Sequence, residues 1–309
     1  MSSTDSEPEA VDRLGTALHC RGLSLRFGSV QALDGLDLDI APGESVGIVG
    51  RNGAGKSTLF RCIVGTELPD AGSVRCTPGL SRVEFLSRTG FVPDALSAYD
   101  WMTAGQAIDY VAALQPRFDA AWSAELTRLL AVDRSAKVRT LSRGMQARLA
   151  FVLGLSHRPE LVLLDEPLLG VDAVTHDAVL ETLARMRSEL GATMLIASHQ
   201  LGDIARLTDR VVFIDRGRVA ESIATDELVS HTVRIVARGL PRTWMPDAGV
   251  IHARWQQEVA VLTVHGDLDD IAAVERGILG EHPEARLERV ALSIHEACAD
   301  RLRAMEVQS

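Results

Sequence analysis

Nowhere does this chain run to the ~18 consecutive apolar residues that a membrane-spanning helix needs. Its longest apolar stretches, Leu149 to Leu155 and Leu161 to Leu164, are the size of core helices and strands. The opening residues Met1-Ser2-Ser3-Thr4-Asp5-Ser6-Glu7-Pro8-Glu9-Ala10 are polar and acidic, with no apolar core of a secretory signal. Cysteine is scarce: Cys20, Cys62, Cys76 and Cys298 lack the paired spacing of a disulfide framework or a zinc site. A reducing cytoplasm is the expected setting. Basic charge is in deficit, with 32 Lys and Arg against 42 Asp and Glu and a formal net charge of −10. That balance argues against non-specific binding to nucleic acid or to an anionic membrane surface. Internal repeats and sustained heptads are absent too. Any membrane task therefore needs another chain to do the crossing.

What the chain has is one highly informative stretch, Gly50-Arg51-Asn52-Gly53-Ala54-Gly55-Lys56-Ser57-Thr58, which fits G-x-x-x-x-G-K-[ST]. Glu44 to Val49 before it is short, apolar and β-branched, the pattern of a buried strand. Leu59 to Val64 after it continues at helical spacing. Strand, glycine-rich turn and helix are what phosphate binding requires. The glycines let backbone N–H groups curl toward phosphate oxygens, and the helix start adds its positive dipole end. Lys56 is placed to reach the β and γ phosphates, and the Ser57 hydroxyl to hold Mg²⁺. A chance match arises in roughly one chain of this length in a hundred, given Gly near 7% of residues.

At 309 residues the chain has room for one large domain and a small one. Residues 1–16 read as a disordered tail. Ala17 to Phe27 and Leu36 to Ile40 alternate apolar and polar residues, as antiparallel strands do. Thr89 to Val92 is a short strand ending before Pro93-Asp94. Thr103 to Leu114, Asp119 to Leu130 and Met145 to Leu155 carry helical spacing, a helical insertion over about 95–157. Leu161 to Leu164 is a buried strand ending in Asp165-Glu166, and Thr193 to Ser198 another ending in His199, with the helical Thr175 to Leu190 between them. Val211 to Val219 reads as a hairpin. Strands alternating with helices predict an α/β fold with a parallel core sheet and ligands at the strands' carboxyl ends. Gly50, Asp94, Asp165, Glu166 and His199 all fall at such ends. Residues 230–309 alternate differently: strands over Val233 to Leu240, Val250 to Val264 and Leu287 to Leu292, a helix over Asp269 to Leu279, and a last helix opened by the capping box Ser293-Ile294-His295-Glu296. They predict a small α+β accessory domain without a chemical motif.

With these residues in view, residues 17–229 resemble the ATP-binding subunit of an ATP-binding-cassette (ABC) transporter, a P-loop NTPase with a parallel core sheet, an antiparallel β subdomain and a helical subdomain. Leu141-Ser142-Arg143-Gly144-Met145-Gln146 is similar to the family's signature, just upstream of the strand that bears Asp165 and Glu166. The resemblance implies that Asp165 serves Mg²⁺ and that Glu166 is the catalytic carboxylate. It also makes His199 the switch histidine, Gly170-Val171-Asp172 the D-loop, and Phe27 the adenine-stacking aromatic. A core or turn aromatic is the plainer reading of Phe27. Ser142 and Gly144 keep the signature's hydroxyl and small residue, while Arg143 stands where glycine is usual and Met145 where glutamine is usual. A basic residue there is similar to the variant of exporter-type cassettes, as is the C-terminal extension. Asp94 replaces the family's Q-loop glutamine. Either any polar group serves at that loop position, or its carboxylate approaches the metal through a water.

The implied function is ATP hydrolysis, with Mg²⁺, driving transport through separate transmembrane permease subunits. Two cassettes face head to tail, identical or not, each ATP lying between one phosphate loop and the other signature. The implied location is cytoplasmic, at the inner face of the cell membrane, with no nucleic-acid partner. The alternative, a soluble ABC-type ATPase not coupled to a membrane transporter and acting on DNA or ribosomes, usually brings a second cassette or a coiled-coil insertion, and neither is present. A module that holds ATP without turnover would have no use for Glu166 and His199.

Overall fold

The computed structural model describes residues 18–76, 80–198, 202, 205–246 and 249–308. The chain opens with the strands β1 (Leu18–Phe27) and β2 (Val30–Ile40), then runs through β3 (Ser45–Val49) into α1 (Lys56–Val64). β4 (Ala71–Cys76), α2 (Arg82–Ser87) and β5 (Thr89–Val92) follow. Three helices come next, α3 (Ala104–Leu114), α4 (Ala120–Leu129) and α5 (Arg143–Leu155). Alternation resumes with β6 (Leu161–Asp165), α6 (Ala173–Leu190), β7 (Thr193–Ala197) and the hairpin β8 (Arg210–Asp215) and β9 (Arg218–Ala224). The C-terminal region holds α7 (Thr225–Ser230), β10 (Thr232–Arg238), β11 (Val250–Gln256), β12 (Val259–His265), α8 (Leu268–Glu281), β13 (Arg286–Ala291) and α9 (Ile294–Gln308).

These strands make three sheets. The central one has the order β5-β6-β7-β3-β8-β9, parallel except for β9, which returns antiparallel to β8. An antiparallel sheet of order β2-β1-β4 lies beside it, and the C-terminal sheet has the order β11-β12-β10-β13, also antiparallel. β3, β6 and β7 are buried at every residue, as strands covered on both faces must be. The period of two divides each between two cores. Val162 and Leu164 of β6 face one cluster with Ile108, Trp122, Phe151 and Leu155 of the helical layer. Leu161 and Leu163 face the other, with Leu59, Phe60 and Ile63 of α1 and the apolar side of β1 and β2. β4 and α2 were not legible in the sequence. β4 is short and mostly exposed or half-buried, so it lacks clean alternation, and α2 is held by the capping box of Ser81 and Glu84 rather than by an apolar stripe.

The helix starts are fixed by local hydrogen bonds. Thr103 and Gln106 form a capping box on α3, Asp119 accepts from the Trp122 N–H on α4, and Asp172 accepts from the Thr175 N–H on α6. In the C-terminal region α8 packs Ile271 and Ile278 against Ile235, Leu262 and Val264 of the sheet. α9 does something else. Its Ile294, Ala297 and Cys298 pack on Val211 and Phe213 of β8 and Val49 of β3. Its polar side holds the C-terminal sheet: Arg234 of β10 bonds Glu296 at 2.7 Å and Asp300 at 3.0 Å, and Thr263 of β12 donates to Asp300 at 2.6 Å. Arg301 pairs with Glu221 of β9. The last helix thus joins the C-terminal sheet to the central one.

Candidate active site

The order β5-β6-β7-β3 brings four carboxyl ends side by side, and Gly50, Asp94, Asp165 and Glu166 end or follow three of them. The phosphate loop runs from β3 into α1. Gly55, just before the helix, has φ 110°, and a Cβ there would lie 2.5 Å from the Ala32 carbonyl oxygen, so only glycine fits. The loop is braced from behind by the β8–β9 turn: the Gly217 N–H donates to the Ala54 carbonyl at 2.9 Å, and the Asp34 N–H to the Gly217 carbonyl at 3.0 Å. Lys56 is only 7% exposed. Its ammonium donates to the carbonyls of Gly50 at 2.7 Å and Arg51 at 3.1 Å, which places a positive charge at the centre of the loop. Burial lowers the Lys56 pKa, and the carboxylates of Glu166 and Asp165 oppose that shift.

Asp165 closes β6 and is 2% exposed. Burial lifts its carboxyl above the ordinary carboxylate range, and the charge of Asp94 pushes the same way; the Ser57 hydroxyl and Lys56 pull it down. One of its oxygens, Oδ1, is buried without a hydrogen-bond partner. Glu166 follows with φ 50°, a left-handed backbone that costs a residue with a Cβ of the order of 1–3 kcal/mol. Its N–H extends the β6–β7 ladder by bonding the Ala197 carbonyl at 2.9 Å, and its own carbonyl takes the Leu169 N–H at 3.2 Å. The chain therefore turns sharply at Glu166. A cleft of about 360 Å³ gathers Gly53, Lys56, Ser57, Thr58, Asp94 and Glu166. A second, of about 540 Å³, runs along Arg51, Asn52, Asp215 and Arg216.

Some expected residues lie elsewhere. Phe27 ends β1, 43% exposed, and is not among the cleft's walls; its register partner Val30, 63% exposed, is. Val30, Leu169 and Arg216 are contributions that sequence reasoning missed, because each is set by a turn rather than by a motif. Ser142 and Gly144 line neither cleft. Ser142 caps α5, accepting from the Met145 N–H at 3.4 Å, and is exposed. A Cβ on Gly144 would meet the Gly170 carbonyl at 2.8 Å, and Arg143 lays its aliphatic chain against the same glycine. Arg148 of α5 pairs with Asp172, whose carboxyl is pulled down to about 2 by the Thr175 N–H and hydroxyl and by Arg148. The signature segment and the D-loop thus form one packed unit. His199 lies outside the described residues, as does the tail 1–16.

Fold and site together define a phosphate-loop nucleotide-binding protein. A family model described as ABC transporter matches residues 33–169. The ABC transporter ATP-binding protein YtrB of Bacillus subtilis (strain 168) is 32% identical over 225 residues, 71% of this chain and 75% of that protein. The aliphatic sulfonates import ATP-binding protein SsuB of Ralstonia nicotianae is 37% identical over 226 residues, 71% of this chain and 78% of its own. Among solved structures, an ATP-binding subunit of an ABC transporter superposes with a TM-score of 0.61 at 25% identity, covering 68% of this chain and 91% of that one. A dimeric cassette in a post-hydrolysis state, bound to ADP and phosphate, superposes at 0.60 over 67% of this chain and 98% of its own; at 23% identity that likeness speaks to the fold alone. The chain belongs to the ATP-binding proteins of ABC transporters. It binds and hydrolyses ATP, and the work powers transport through separate membrane subunits.

Proposed function

We propose that each chain binds ATP in the cleft between its phosphate loop and Glu166, and completes the site with the signature segment of a second cassette. The observation that carries this reading is the convergence of Lys56, Ser57, Asp94 and Glu166 on one cleft while Ser142 and Gly144 point their chemistry elsewhere. The loop N–H groups and Lys56 hold the phosphates. Ser142 and the Gly144 N–H, at the positive end of α5, supply donors for the γ-phosphate of the facing chain. Glu166 orients and polarises the attacking water, and its strained backbone fixes the carboxylate at the strand end. His199 is assigned the contact that senses the γ-phosphate.

The donor set fits Mg²⁺. Asp165 Oδ1 is a buried oxygen without a partner, and the Ser57 hydroxyl lies beside the same carboxylate. Mg²⁺ is usually held by one or two protein oxygens, its other ligands coming from phosphate and water. When bound, Mg²⁺ neutralises charge on the β and γ phosphates. Ser57 and Asp165 would hold it, with Asp94 reaching it through a water.

The permease partner has a candidate dock. Tyr99, Trp101 and Tyr110 are 55%, 65% and 48% exposed, and the Tyr99 and Trp101 rings stack at 5.7 Å. Tyr99 and Tyr110 line a recess of about 490 Å³ with Met102, Val111 and Leu153. Aromatic groups around an apolar recess favour a helix from another protein. Only four residues separate Asp94 of the cleft from Tyr99 of the dock along the chain. Among the described residues no helix is long and apolar enough to cross a membrane, and we place the subunit on the cytoplasmic face through this contact. Glu166→Gln tests the reading. ATP binding should persist while turnover falls by about 10²-fold or more, the scale of a lost general base. Turnover within tenfold of wild type would remove Glu166 from the role.

A further inference from the structure

Glu166 holds a left-handed backbone, a conformation that persists only where the chain on both sides is fixed. On its N-terminal side the hold is β6, continued by the Glu166 N–H on the Ala197 carbonyl of β7. On its C-terminal side two turns follow instead of a strand. The Leu169 N–H bonds the Glu166 carbonyl at 3.2 Å, and the Val171 N–H bonds the Leu168 carbonyl at 3.3 Å. Leu168 roots the first turn in the core of the helical layer, beside Leu141 and Leu149. The second turn runs out to the surface, where Gly170 and Asp172 are exposed. Hydrogen bonds inside a turn fix its shape but not its place, so this outer end needs an anchor from elsewhere.

One face of α5 supplies it. Gly144 and Arg148 stand one turn apart on that helix and so share a side. Gly144 lies so close to the Gly170 carbonyl that a Cβ would not fit between them. Arg148 pairs with Asp172. The other oxygen of Asp172 accepts from the Thr175 N–H and hydroxyl, each at 3.1 Å, at the start of α6. Arg148 therefore holds the junction where the turn ends and α6 begins. The Asp172 side chain is 51% exposed, so the pair adds little to stability. Its effect is to set where the outer end of the Glu166 turn lies against α5.

We propose that Arg148 is a positioning residue for Glu166: by holding Asp172 against α5 it keeps the stretch 166–172, and with it the carboxylate that polarises water, aimed into the cleft of its own chain. Ser142, on the same helix, serves the facing chain, so the inference rests on the two-chain site proposed above. Arg148→Met keeps the aliphatic stem and removes the ion pair. It should bind ATP as wild type does, which shows that it folds. Its kcat should fall about tenfold at an unchanged KM, the pattern of a catalytic group slightly misplaced. Arg148→Lys keeps the charge and should regain most of the loss. Asp172→Asn leaves α6 a good cap residue while weakening the pair, and should lower kcat several-fold; it carries the same comparison where Arg148→Met fails to bind ATP. Mixed dimers then locate the effect. Ser142→Arg and Glu166→Gln chains are combined so that one whole site forms, and Arg148→Met is added to either chain. Turnover should drop more when it sits on the Ser142→Arg chain, whose Glu166 is the working one, than on the Glu166→Gln chain, which lends Ser142. A kcat within about twofold of wild type in Arg148→Met, or a loss that follows the chain lending Ser142, would overturn the proposal and leave the two-chain site standing. A mixture silent even with Arg148 intact would overturn the two-chain site and the proposal with it.

Discussion

The phosphate cleft and the signature segment are built in opposite ways. The cleft is assembled from separate stretches of chain: the loop after β3, Asp94 beyond β5, Glu166 after β6 and Val30 on β2. Each is held by a strand or a turn, and the walls face one another. The signature segment is one continuous stretch, the N-terminus of α5, whose neighbours Gly170 and Asp172 belong to the D-loop. Ser142 and its helix start are exposed and face no partner group of the ATP cleft. A polar motif that is rigidly presented, exposed and unused by its own chain is suited to completing a site on another molecule. The difference teaches that order along the sequence and assembly in space are separate facts: Ser142 is 23 residues from Asp165 in sequence yet lines neither cleft that flanks the phosphate loop.

The largest effect that could break this contrast is Ser142→Arg. A bulky cation at the start of α5 should leave ATP binding by the single chain nearly intact, because the cleft does not include it. ATP-dependent dimerisation, followed by size exclusion in the Glu166→Gln background, should disappear. Dimers that persist with ATP would take the signature role away from this segment.

A smaller effect separates the two regions by pH. His157 follows α5, 5% exposed, with its Nε2 3.2 Å from the Thr89 carbonyl of β5. Burial pushes its pKa down from 6.5 to about 4. The folded state thus favours the neutral ring, so its contribution to stability is complete above about 6.5 and is lost as pH falls toward about 4. Between pH 7 and pH 5 that linkage amounts to about 2 kcal/mol. Urea unfolding at the two pH values should show this loss in wild type and a smaller one in His157→Gln. Because His157 ties the signature helix to the sheet, amide exchange in α5 should rise in acid before exchange in α1 does. Equal pH dependence in the two proteins would mean that His157 is not the linked group.

The smallest effect sharpens the description of the cleft itself. Asp94→Asn removes one charge at constant size. ATP titrations at several Mg²⁺ concentrations should show the variant binding ATP several-fold better than wild type when Mg²⁺ is scarce, since a carboxylate near phosphate is repulsive until a cation joins them. Parallel curves for the two proteins would show that this charge is not felt at the nucleotide, and that any polar group serves at Asp94.

The parts of the fold legible in sequence are those with a local cause. The loop 50–58 needs glycines at fixed offsets, and the strands of the central sheet are continuous apolar runs because both faces are covered. Helical spacing marked α3 and α4, and a capping box marked the start of α9. What escaped has non-local causes. The capping box of α9 was visible, but the attachment of Ile294 and Cys298 to Phe213 depends on residues about eighty positions away. Val30 and Arg216 enter the clefts through hairpin turns whose place beside the phosphate loop is fixed only by sheet order. The positive φ of Glu166 has no compositional mark, since glutamate rarely adopts it. The packing of Gly144 on Gly170 joins two motifs that read as separate in the sequence.

The central claim is that the cleft of one chain is completed by the signature segment of another, and complementation tests it most directly. Glu166→Gln and Ser142→Arg chains, each inactive alone, are mixed and assayed for ATP hydrolysis at saturating ATP. In a mixed pair the Ser142→Arg chain offers an intact Lys56–Glu166 cleft, and the Glu166→Gln chain offers an intact Ser142. One site of the two is whole, so the mixture should regain turnover, up to about a quarter of wild type where pairing is random. A mixture as inactive as its two components would contradict the account, because it would place Ser142 and Glu166 in the service of the same chain's nucleotide.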